Sequence, residues 1–336
     1  MEQVILGKTG LAVAKNGFGA LPLQRIPKKD AVYLVQKAFY HGINYFDTAR
    51  AYSDSEDKLG SAFHEIRERL ILSTKTAAEN VQDFWKDLET SLRTLQTDYI
   101  DLYQFHNPAF CPRPSDGTGL YEAMLEAKQK GMIRFIGITN HRLPIAKEAV
   151  ASGLYDTLQF PFSYLASQAE HGLAASCKAA NMGYIAMKAL SGGLIADASA
   201  AYAYLAQFDY VEPIWGIQKE SELDEFLSFM DKPPVLTPEI EQRIAKDRTE
   251  LAGDFCRGCG YCMPCPAGIS IRDCARMSLM LRRAPEGVWL SEKWQAEMEK
   301  VKDCRHCGHC TSKCPYGLDT PSLLQKNYAD YQTFLK

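Results

Sequence analysis

The sequence has no long hydrophobic run. Its first residues, MEQVILGKTG, contain no apolar leader segment, and no later stretch has the length of continuous apolar sequence that a membrane-spanning helix requires. We therefore expect a cytoplasmic protein that does not interact with membranes. Because the cytoplasm is reducing, its cysteines are not expected to form disulfide bonds.

A glycine-rich phosphate loop and a strong net charge are also missing. No G-x-G-x-x-G follows the first predicted strand, which argues against a Rossmann domain. The formal net charge is only -3, so the composition offers no electrostatic basis for binding nucleic acid. These absences direct attention to small-molecule chemistry.

Cysteine is scarce in most of the chain and abundant at its end. Nine of the 11 cysteines follow residue 255, whereas Cys111 and Cys177 are expected to be ordinary core or loop cysteines. The segment DKPPVLTPE (231–239) contains three prolines and is predicted to be a linker. At 336 residues the chain is long enough for two domains. We predict a first domain over 1–232, a linker and helix over 233–250, and a second domain over 251–336.

Eight of these nine cysteines form two runs, CRGCGYCMPCP and CRHCGHCTSKCP. The second run is C-x2-C-x2-C-x3-C-P, the spacing with which bacterial ferredoxins hold four-iron clusters, and its fourth cysteine ligates the neighbouring cluster. Two such runs complete each other, so the sequence predicts two 4Fe-4S clusters. We expect one cluster on Cys256, Cys259, Cys262 and Cys314, and the other on Cys304, Cys307, Cys310 and Cys265.

Some features of this tail have more than one interpretation. The first run is one residue short before Pro266, which leaves open whether Cys265 or the spare thiol Cys274 completes the second cluster. Zinc is the main alternative to iron, but structural zinc sites pair two C-x2-C segments, and here the cysteines recur at intervals of three. The basic side chains of the tail either offset the charge of the clusters, form a docking face or are simply solvated. They are Arg272, Arg276, Arg282, Arg283, Lys293, Lys300 and Lys302.

The first 230 residues alternate short apolar runs with longer amphipathic segments. After a hairpin-like start, VILGKTGLAV, eight strand-like runs are each followed by a helix-like segment. This number and order predict a closed (β/α)8 TIM barrel, followed by a small, mainly helical iron-sulfur domain. The strand-like runs are residues 16–20, 43–48, 70–76, 99–106, 133–139, 156–160, 183–189 and 212–217.

Polar residues stand at the ends of three successive predicted strands. Active sites of such barrels are built where the strands end, so these side chains are expected to meet at one mouth. A lysine at a strand end is rarely buried without a partner, and a lysine paired with an aspartate would help a neighbouring phenol release its proton. The candidate catalytic residues are Asp47, Tyr52, Lys75 and His106.

The same segments resemble the motifs of the aldo-keto reductases. The resemblance is found in HGINYFDTARAYSDSE (41–56), STKT (73–76), YQFHN (103–107), GITNH (137–141) and GYIAMKALSGGL (183–194). It is closest to the subgroup with a carboxyl-terminal ferredoxin-like domain and spans nearly the whole chain. The resemblance implies Tyr52 as general acid toward a carbonyl, with Asp47, Lys75 and His106 completing a tetrad.

The resemblance also implies a nicotinamide dinucleotide, NADPH or NADH, lying across the barrel mouth. Thr139, Asn140 and Gln159 stand where the family holds the carboxamide. Three further candidate cofactor-binding residues are Lys188, Gly216 and Lys219.

Two departures from the family pattern affect the expected cofactor. The residue after Tyr52 is Ser53, where the family usually has glycine. After the eighth strand the chain reads WGIQKESELDEFL (215–227): Trp215 replaces a proline, Phe226 stands where the family has asparagine, and Lys219 is the only cation. Because a 2'-phosphate requires a cationic clamp, we expect weak selectivity for NADPH. Trp215 is expected to fill the end of the barrel.

Two classes of function are compatible with these patterns. The first is an oxidoreductase that reduces a small carbonyl compound, or oxidises an alcohol, and transfers electrons through two 4Fe-4S clusters to a ferredoxin or another redox protein. The second is an electron-transfer or scaffold subunit of a larger redox complex, whose barrel no longer binds NAD(P)H. The tetrad favours the first, and the altered segment after Trp215 favours the second.

Overall fold

The computed structural model describes residues 2–335 except 252, 254 and 284–286. The chain begins with an antiparallel hairpin of β1 (Gln3–Ile5) and β2 (Ala12–Ala14). Val4 and Val13 of this hairpin belong to one hydrophobic cluster with Tyr45, Ile71 and other inward-facing side chains of the barrel strands. The hairpin therefore covers the barrel interior at the end where the strands start.

Eight parallel strands close the barrel in the order β10-β3-β4-β5-β6-β7-β8-β9. The closed parallel barrel confirms the predicted architecture, and each strand falls within a predicted strand-like run or overlaps most of it. The strands are β3 (Gly17–Gly19), β4 (Tyr45–Asp47), β5 (Ile71–Thr76), β6 (Ile100–His106), β7 (Ile133–Thr139), β8 (Thr157–Pro161), β9 (Gly183–Met187) and β10 (Val211–Gly216).

Helices connect the strands and cover the outside of the barrel. In α3 the Asn80 side chain accepts a hydrogen bond from the Asp83 amide at the helix start, and Phe84, Leu88 and Leu95 form one buried face with helical spacing. The helices of this part are α1 (Lys28–Tyr40), α2 (Ser55–Phe63), α3 (Val81–Leu95), α4 (Leu120–Gln129), α5 (Leu143–Ser152), α6 (Gln168–Ala179), α7 (Ala198–Ala206) and α8 (Glu220–Asp231).

The tail is helical, and its described residues from 237 to 335 contain no strand. Asn327 connects its helices, because its side chain accepts from the Ser278 amide at 2.8 Å and donates to the Ala275 carbonyl at 3.1 Å. The prediction of a mainly helical tail is therefore confirmed. Its helices are α9 (Pro238–Glu250), α10 (Ile271–Cys274), α11 (Met277–Arg283), α12 (Glu292–Glu299), α13 (His309–Lys313) and α14 (Thr320–Phe334).

The chain forms two compact units. The first comprises residues 1–189 and 202–236, and the second comprises 190–201 and 237–336. Within the second unit, Arg276 donates to the Gly192 carbonyl at 2.8 Å and Arg283 to the Leu194 carbonyl at 2.7 Å. The segment 190–201 therefore belongs to the tail's compact unit although it follows β9 in the chain. The domain limits drawn from the sequence stay a prediction.

Candidate active site and cysteine centre

A buried ion pair lies at the carboxyl ends of the barrel strands. Lys75 Nζ is 2.6 Å from Asp47 Oδ2 and donates a second hydrogen bond, also 2.6 Å long, to the Thr48 carbonyl. Lys75 is 1% exposed and Asp47 2%. Burial lowers the pKa of Lys75, and the negative charge of Asp47 opposes this effect. The aspartate therefore favours the charged ammonium form of a lysine that has almost no contact with solvent.

Three more side chains orient the Asp47 carboxylate. Ser73 Oγ donates to Oδ1 at 3.1 Å and Gln104 Nε2 to the same oxygen at 3.4 Å, while Gln159 Nε2 donates to Oδ2 at 3.3 Å. Gln104 also donates to Ser73 Oγ and to Gln159 Oε1, both at 2.8 Å. The carboxylate is therefore held by a connected, buried network rather than by the lysine alone.

Ser73 and Gln104 are site residues that the sequence motifs do not single out. The signal was present, because side chains two positions apart in a strand face the same side. Ser73 precedes Lys75 by two residues in β5, and Gln104 precedes His106 by two in β6. Both positions therefore face the barrel interior, one layer below the predicted catalytic residues.

Tyr52 and His106 lie next to the ion pair. The two rings meet edge to face with centroids 5.7 Å apart, and Lys75 Nζ is 5.4 Å from the centroid of the Tyr52 ring. Burial, and secondarily the charge of Lys75, lowers the pKa of His106 to about 3. The imidazole is therefore neutral at physiological pH. The structure thus brings all four predicted catalytic side chains together.

The loop that carries Tyr52 is fixed at both ends. Thr48 Oγ1 donates to Ser55 Oγ at 2.9 Å, and the buried carboxylate of Glu56 accepts from Thr74 and Ser91, each at 2.7 Å. Between these anchors Ser53 has a φ of 40°. Such a left-handed backbone favours glycine, which explains why glycine is usual at this position in the family.

The three residues predicted to hold a carboxamide lie in or directly after two neighbouring strands. Thr139 ends β7 next to Gln159 of β8, and Asn140 follows directly. Two of their amide groups already have partners within the chain, since Gln159 bonds Asp47 and Gln104, and Asn140 donates to the Pro108 carbonyl at 2.9 Å. A carboxamide would have to share these groups or displace their partners.

The other three predicted cofactor residues lie after β9 and β10. Lys188 is half-buried with a φ of 58°, and Gly216 and Lys219 are exposed. Glu222 lies at the start of α8, and its Oε2 accepts from the amides of Gln218 at 2.9 Å and Lys219 at 3.1 Å. A carboxylate of the chain thus occupies the positive end of this helix.

Trp215 fills the core, as expected from the sequence. It is 1% exposed and stacks on Phe226, with ring centroids 4.4 Å apart and an interplanar angle of 25°. The Tyr202 ring also stacks on Trp215, with ring centroids 6.1 Å apart. The two unusual aromatic residues of this segment therefore pack on each other and present no stacking surface to a ligand.

Four predicted cluster ligands in the tail line one pocket. The same pocket is lined by the basic side chains of Arg305, His306 and His309 and by apolar residues of α14. The spare thiol Cys274 does not line it; Cys274 is fully buried, and its Sγ lies 3.8 Å from the Glu297 carbonyl oxygen. The four cysteines of the pocket are Cys265, Cys304, Cys307 and Cys310.

The remaining four predicted ligands affect one another electrostatically. Burial raises the pKa of the Cys256 thiol, and Cys259 and Cys314 raise it further. Burial likewise raises the pKa of Cys262 to about 12, with contributions from Cys256 and Cys259. Cys314 and Cys310 of the second run thus interact with Cys256 and Cys262 of the first, so the two runs approach each other.

The two sets of four cysteines fit the chemistry of two cubane clusters, since each such cluster is ligated by four thiolates. Among the described residues, no group of three or more His, Cys, Asp or Glu side chains is arranged around a single metal ion. The ligand assignment, including the choice of Cys265 over Cys274, stays a prediction that the pocket supports.

Comparison with protein families places these observations in context. The sequence model of the aldo/keto reductase family matches residues 15–214, and the model of the 4Fe-4S dicluster domain matches residues 255–319. The chain therefore belongs to the aldo/keto reductase family and carries a 4Fe-4S dicluster domain, which confirms both resemblances.

Curated relatives match only part of the chain. L-galactose dehydrogenase from Arabidopsis thaliana is 36% identical over 163 residues, covering 43% of this chain and 50% of that protein. Methylglyoxal reductase from Escherichia coli O157:H7 is 35% identical over 152 residues, covering 42% and 53%. An aldo-keto reductase from Bacillus subtilis is 31% identical over 192 residues, covering 52% and 57%. The chain thus spans about half the length of these relatives.

Solved structures share the barrel. An aldo-keto reductase from Bacillus halodurans has a TM-score of 0.64 at 24% identity, covering 74% of this chain and 96% of that one. An aldo-keto reductase from Klebsiella pneumoniae in complex with NADPH has a TM-score of 0.63 at 22% identity, covering 73% and 94%. At these identities the likeness shows the fold. No helix in the described part of the chain is long and apolar enough to cross a membrane.

Proposed function

We propose that the barrel is a nicotinamide-dependent oxidoreductase that reduces a small carbonyl compound, or oxidises the corresponding alcohol, with Tyr52 as general acid. The observation that carries this proposal is the buried pair of Lys75 and Asp47, with Nζ 5.4 Å from the centroid of the Tyr52 ring. The ordinary pKa of a phenol, about 10, keeps it protonated at neutral pH, and a nearby ammonium stabilises the phenolate that forms when the proton leaves.

Each residue of the tetrad then has a distinct task. A bound reduced nicotinamide would supply the hydride to the carbonyl carbon. Tyr52 gives the proton from its hydroxyl to the carbonyl oxygen, and Lys75 stabilises the tyrosinate. Asp47 holds the ammonium in place. Because His106 stays neutral, it orients the carbonyl oxygen through an N–H and does not compete with Tyr52 as the acid.

The names of two relatives suggest compounds for a first assay. One relative is named methylglyoxal reductase and another L-galactose dehydrogenase. We would measure reduction of methylglyoxal and oxidation of L-galactose with each nicotinamide cofactor, under anaerobic conditions. Turnover of either compound, or of others in a panel of small aldehydes and alcohols, supports the proposal. If neither NADH nor NADPH binds in a direct titration, the barrel is not a nicotinamide-dependent enzyme.

We further propose that the tail binds two 4Fe-4S clusters that carry electrons. A hydride corresponds to two electrons and a cubane passes one, so a pair of clusters matches the electron count of the reaction proposed for the barrel. The route need not be direct, because a dissociable nicotinamide or a flavin on a partner protein can connect the two reactions. A purely structural role is the simpler alternative, since small domains often use metals as part of their core.

Cluster absorbance and electron paramagnetic resonance separate these two roles. The anaerobic protein is mixed with dithionite, with NADH, with NADPH and with a reduced low-potential ferredoxin, each with and without a carbonyl substrate. Bleaching and a reduced-cluster signal are expected with at least one biological donor. Clusters that stay oxidised with all three biological donors are structural in this chain.

One observation favours the second class of function, a subunit whose barrel no longer binds NAD(P)H. Barrel enzymes often bind phosphate at the loops after the last two strands and at a helix N-terminus. Here the Glu222 carboxylate accepts from two backbone amides at that position. An anionic phosphate bound there would need the same two amides. The same titration with NADH and NADPH distinguishes this subunit from an enzyme.

A further inference from the structure

The predicted cluster ligands differ in their exposure to solvent. Cys262 and Cys310 are buried, and the other ligands are half-buried except Cys307, which is the one exposed cysteine of the chain. Cys307 lines the pocket with Cys265, Cys304 and Cys310. A cluster in this pocket would therefore approach solvent at Cys307, and we call this place the Cys307 edge.

Basic residues line the Cys307 edge. Arg305, His306 and His309 line the same pocket, and Arg305 and His306 are exposed. Lys313 is exposed four residues after His309 in α13, so the two side chains lie on the same face of that helix. The edge thus carries positive charge from both chain segments that flank Cys307.

Arg305 and Lys313 differ from the preceding lysines in their ion pairing. Among the described residues neither forms an ion pair with a carboxylate, whereas Lys300 and Lys302 on the preceding segment pair with Glu297 and Glu299. Two carboxylates lie nearby in the sequence. Asp319 accepts from the amide and hydroxyl of Ser322 and interacts electrostatically with His306, so it offsets part of the positive charge at this edge, and Asp303 is exposed.

Two other arginines of the tail have carboxylate partners. Arg282 pairs with Asp330 through two hydrogen bonds, and Arg283 pairs with Asp247 and Glu250. Those arginines serve the internal structure of the unit. Arg305 and Lys313, which have no carboxylate partner among the described residues, lie on either side of Cys307, the most exposed of the predicted ligand cysteines.

We propose that the Cys307 edge is the docking site for an acidic, ferredoxin-type electron-carrier protein. The carrier would lose one electron and the cluster on Cys265, Cys304, Cys307 and Cys310 would gain it, and two encounters would deliver the pair of electrons that a hydride represents. A thiolate-ligated cluster is itself negative, so an acidic carrier approaches closely only where cations compensate that charge. The inference rests on the proposed function, since it requires clusters that change oxidation state.

The test compares the rate at which clusters are reduced by two donors. Anaerobic holoprotein is mixed in a stopped-flow instrument with a reduced plant-type ferredoxin, which is acidic, and separately with dithionite. The variants are Arg305→Gln/Lys313→Gln and Arg305→Glu/Lys313→Glu. The matched control is Lys293→Glu, which reverses an exposed charge on α12 outside the pocket lining. Iron content and the paramagnetic resonance spectrum establish that each variant holds both clusters.

Charge steering changes association rates by roughly 10-fold to 1000-fold. We therefore expect the second-order rate with ferredoxin to fall at least about 10-fold in the charge-reversed variant and less in the neutral one. The wild-type rate should decline as ionic strength rises from about 0.01 M to about 1 M, over which the Debye length shrinks from about 30 Å to about 3 Å. The control should react like the wild type, and the rate with dithionite, a small anion, should differ among the four proteins much less than the rate with ferredoxin.

The outcomes separate the two proposals. If ferredoxin reduces the wild type at a rate that does not depend on salt, and the charge-reversed variant reacts equally fast, the clusters carry electrons but the Cys307 edge is not the docking site. If neither ferredoxin nor nicotinamide reduces the clusters, electron transfer and the docking site are both wrong. Should the charge-reversed variant fail to assemble its clusters, the neutral variant and the salt dependence of the wild type still decide the question.

Discussion

The barrel mouth and the cysteine-rich tail hold their reactive groups in opposite ways. At the mouth, Asp47 has hydrogen bonds from four side chains of the chain itself, so its geometry is complete before any ligand arrives. In the tail, the predicted cysteine ligands would be held together by the iron that they bind. Burial raises the pKa of several of these thiols, so iron binding must also release their protons.

This difference indicates which groups each proposed site would use: side chains at the barrel mouth and bound iron in the tail. In the proposed function the mouth acts through the positions of its own side chains, so small changes there should alter a rate without altering the fold. In the same proposal the tail acts through iron-sulfur clusters that the chain surrounds, so changes there should alter the iron content of the protein. The predictions below test this contrast, beginning with the largest expected effect.

Removing the Tyr52 hydroxyl should have the largest effect. Tyr52→Phe keeps the ring contact with His106 and removes the hydroxyl that would give the proton, so turnover should fall at least about 100-fold, the lower range for general acid catalysis. Steady-state kinetics with the best carbonyl substrate measures the change, and circular dichroism establishes that the fold is kept.

Lys75→Met should act similarly, because without the ammonium the tyrosinate is no longer stabilised. It also leaves Asp47 as a buried carboxylate without its cation, so this variant should lose stability as well, and Tyr52→Phe should not. Unchanged turnover in Tyr52→Phe would show that the chemistry takes place elsewhere.

The strand ends explain how much of this site the sequence could predict. Asp47, Lys75 and His106 each stand at or next to a strand end, and the barrel's parallel order brings those ends together. Ser73 and Gln104 required a further step, the two-residue alternation within a strand, and their bonds to Asp47 could not be read without the register between strands.

Other features depend on local geometry that no motif records. The left-handed backbone of Ser53 and the position of Glu222 over the amides of Gln218 and Lys219 both follow from how the loops enter their helices. The exposure of Cys307 also depends on local geometry. The spacing of the cysteines predicts which of them are ligands but not which ligand faces solvent.

The second prediction concerns iron. The anaerobic protein should contain about eight irons and eight acid-labile sulfides per chain, four for each cubane. Cys304→Ala should remove one cluster and therefore about half of the iron, while the tetrad in the barrel stays intact. Iron and sulfide analysis measures the loss.

Cys274→Ala is the matched control, since Cys274 is buried and does not line the pocket. It should retain all of the iron. The reverse result, in which Cys274→Ala loses iron and Cys265→Ala does not, would assign Cys274 as the ligand. Zinc in place of iron would contradict the cluster prediction as a whole.

The third prediction concerns pH. The pKa of His106 in the folded protein is about 3, below its ordinary value of 6.5. Between these values the unfolded chain binds the proton more readily, so the contribution of His106 to stability is present above about pH 6.5 and is lost as the pH falls. For catalysis, the pH profile of kcat/KM should show no ionisation of His106 between about pH 5 and pH 8. An inflection near pH 6.5 that disappears in His106→Gln would contradict this.

The fourth prediction concerns Glu222. Glu222→Gln keeps an acceptor for the two amides and removes the negative charge, so NADPH should bind more tightly. A charge at a helix N-terminus contributes about 0.3–1 kcal/mol, which corresponds to a change in Kd of roughly two-fold to five-fold. NADH, which lacks the 2'-phosphate, should gain less. Fluorescence titration measures both affinities, with Glu225→Gln on the same helix as control; an equal gain in both variants would mean that only net charge matters.

The smallest effect is expected at Ser53. Its φ of 40° is more favourable for glycine, so Ser53→Gly relieves backbone strain, but glycine also makes the unfolded chain more flexible. These contributions oppose each other, and we expect the free energy of unfolding to change by less than about 1 kcal/mol. The Ser53 hydroxyl makes only exposed contacts, 3.3 Å to Gln24 and 3.4 Å to Asp54, so turnover should be nearly unchanged. Thermal unfolding and kcat measure the two quantities. A fall in kcat near that of Tyr52→Phe would show that the serine side chain, and not the backbone turn it occupies, positions the catalytic tyrosine.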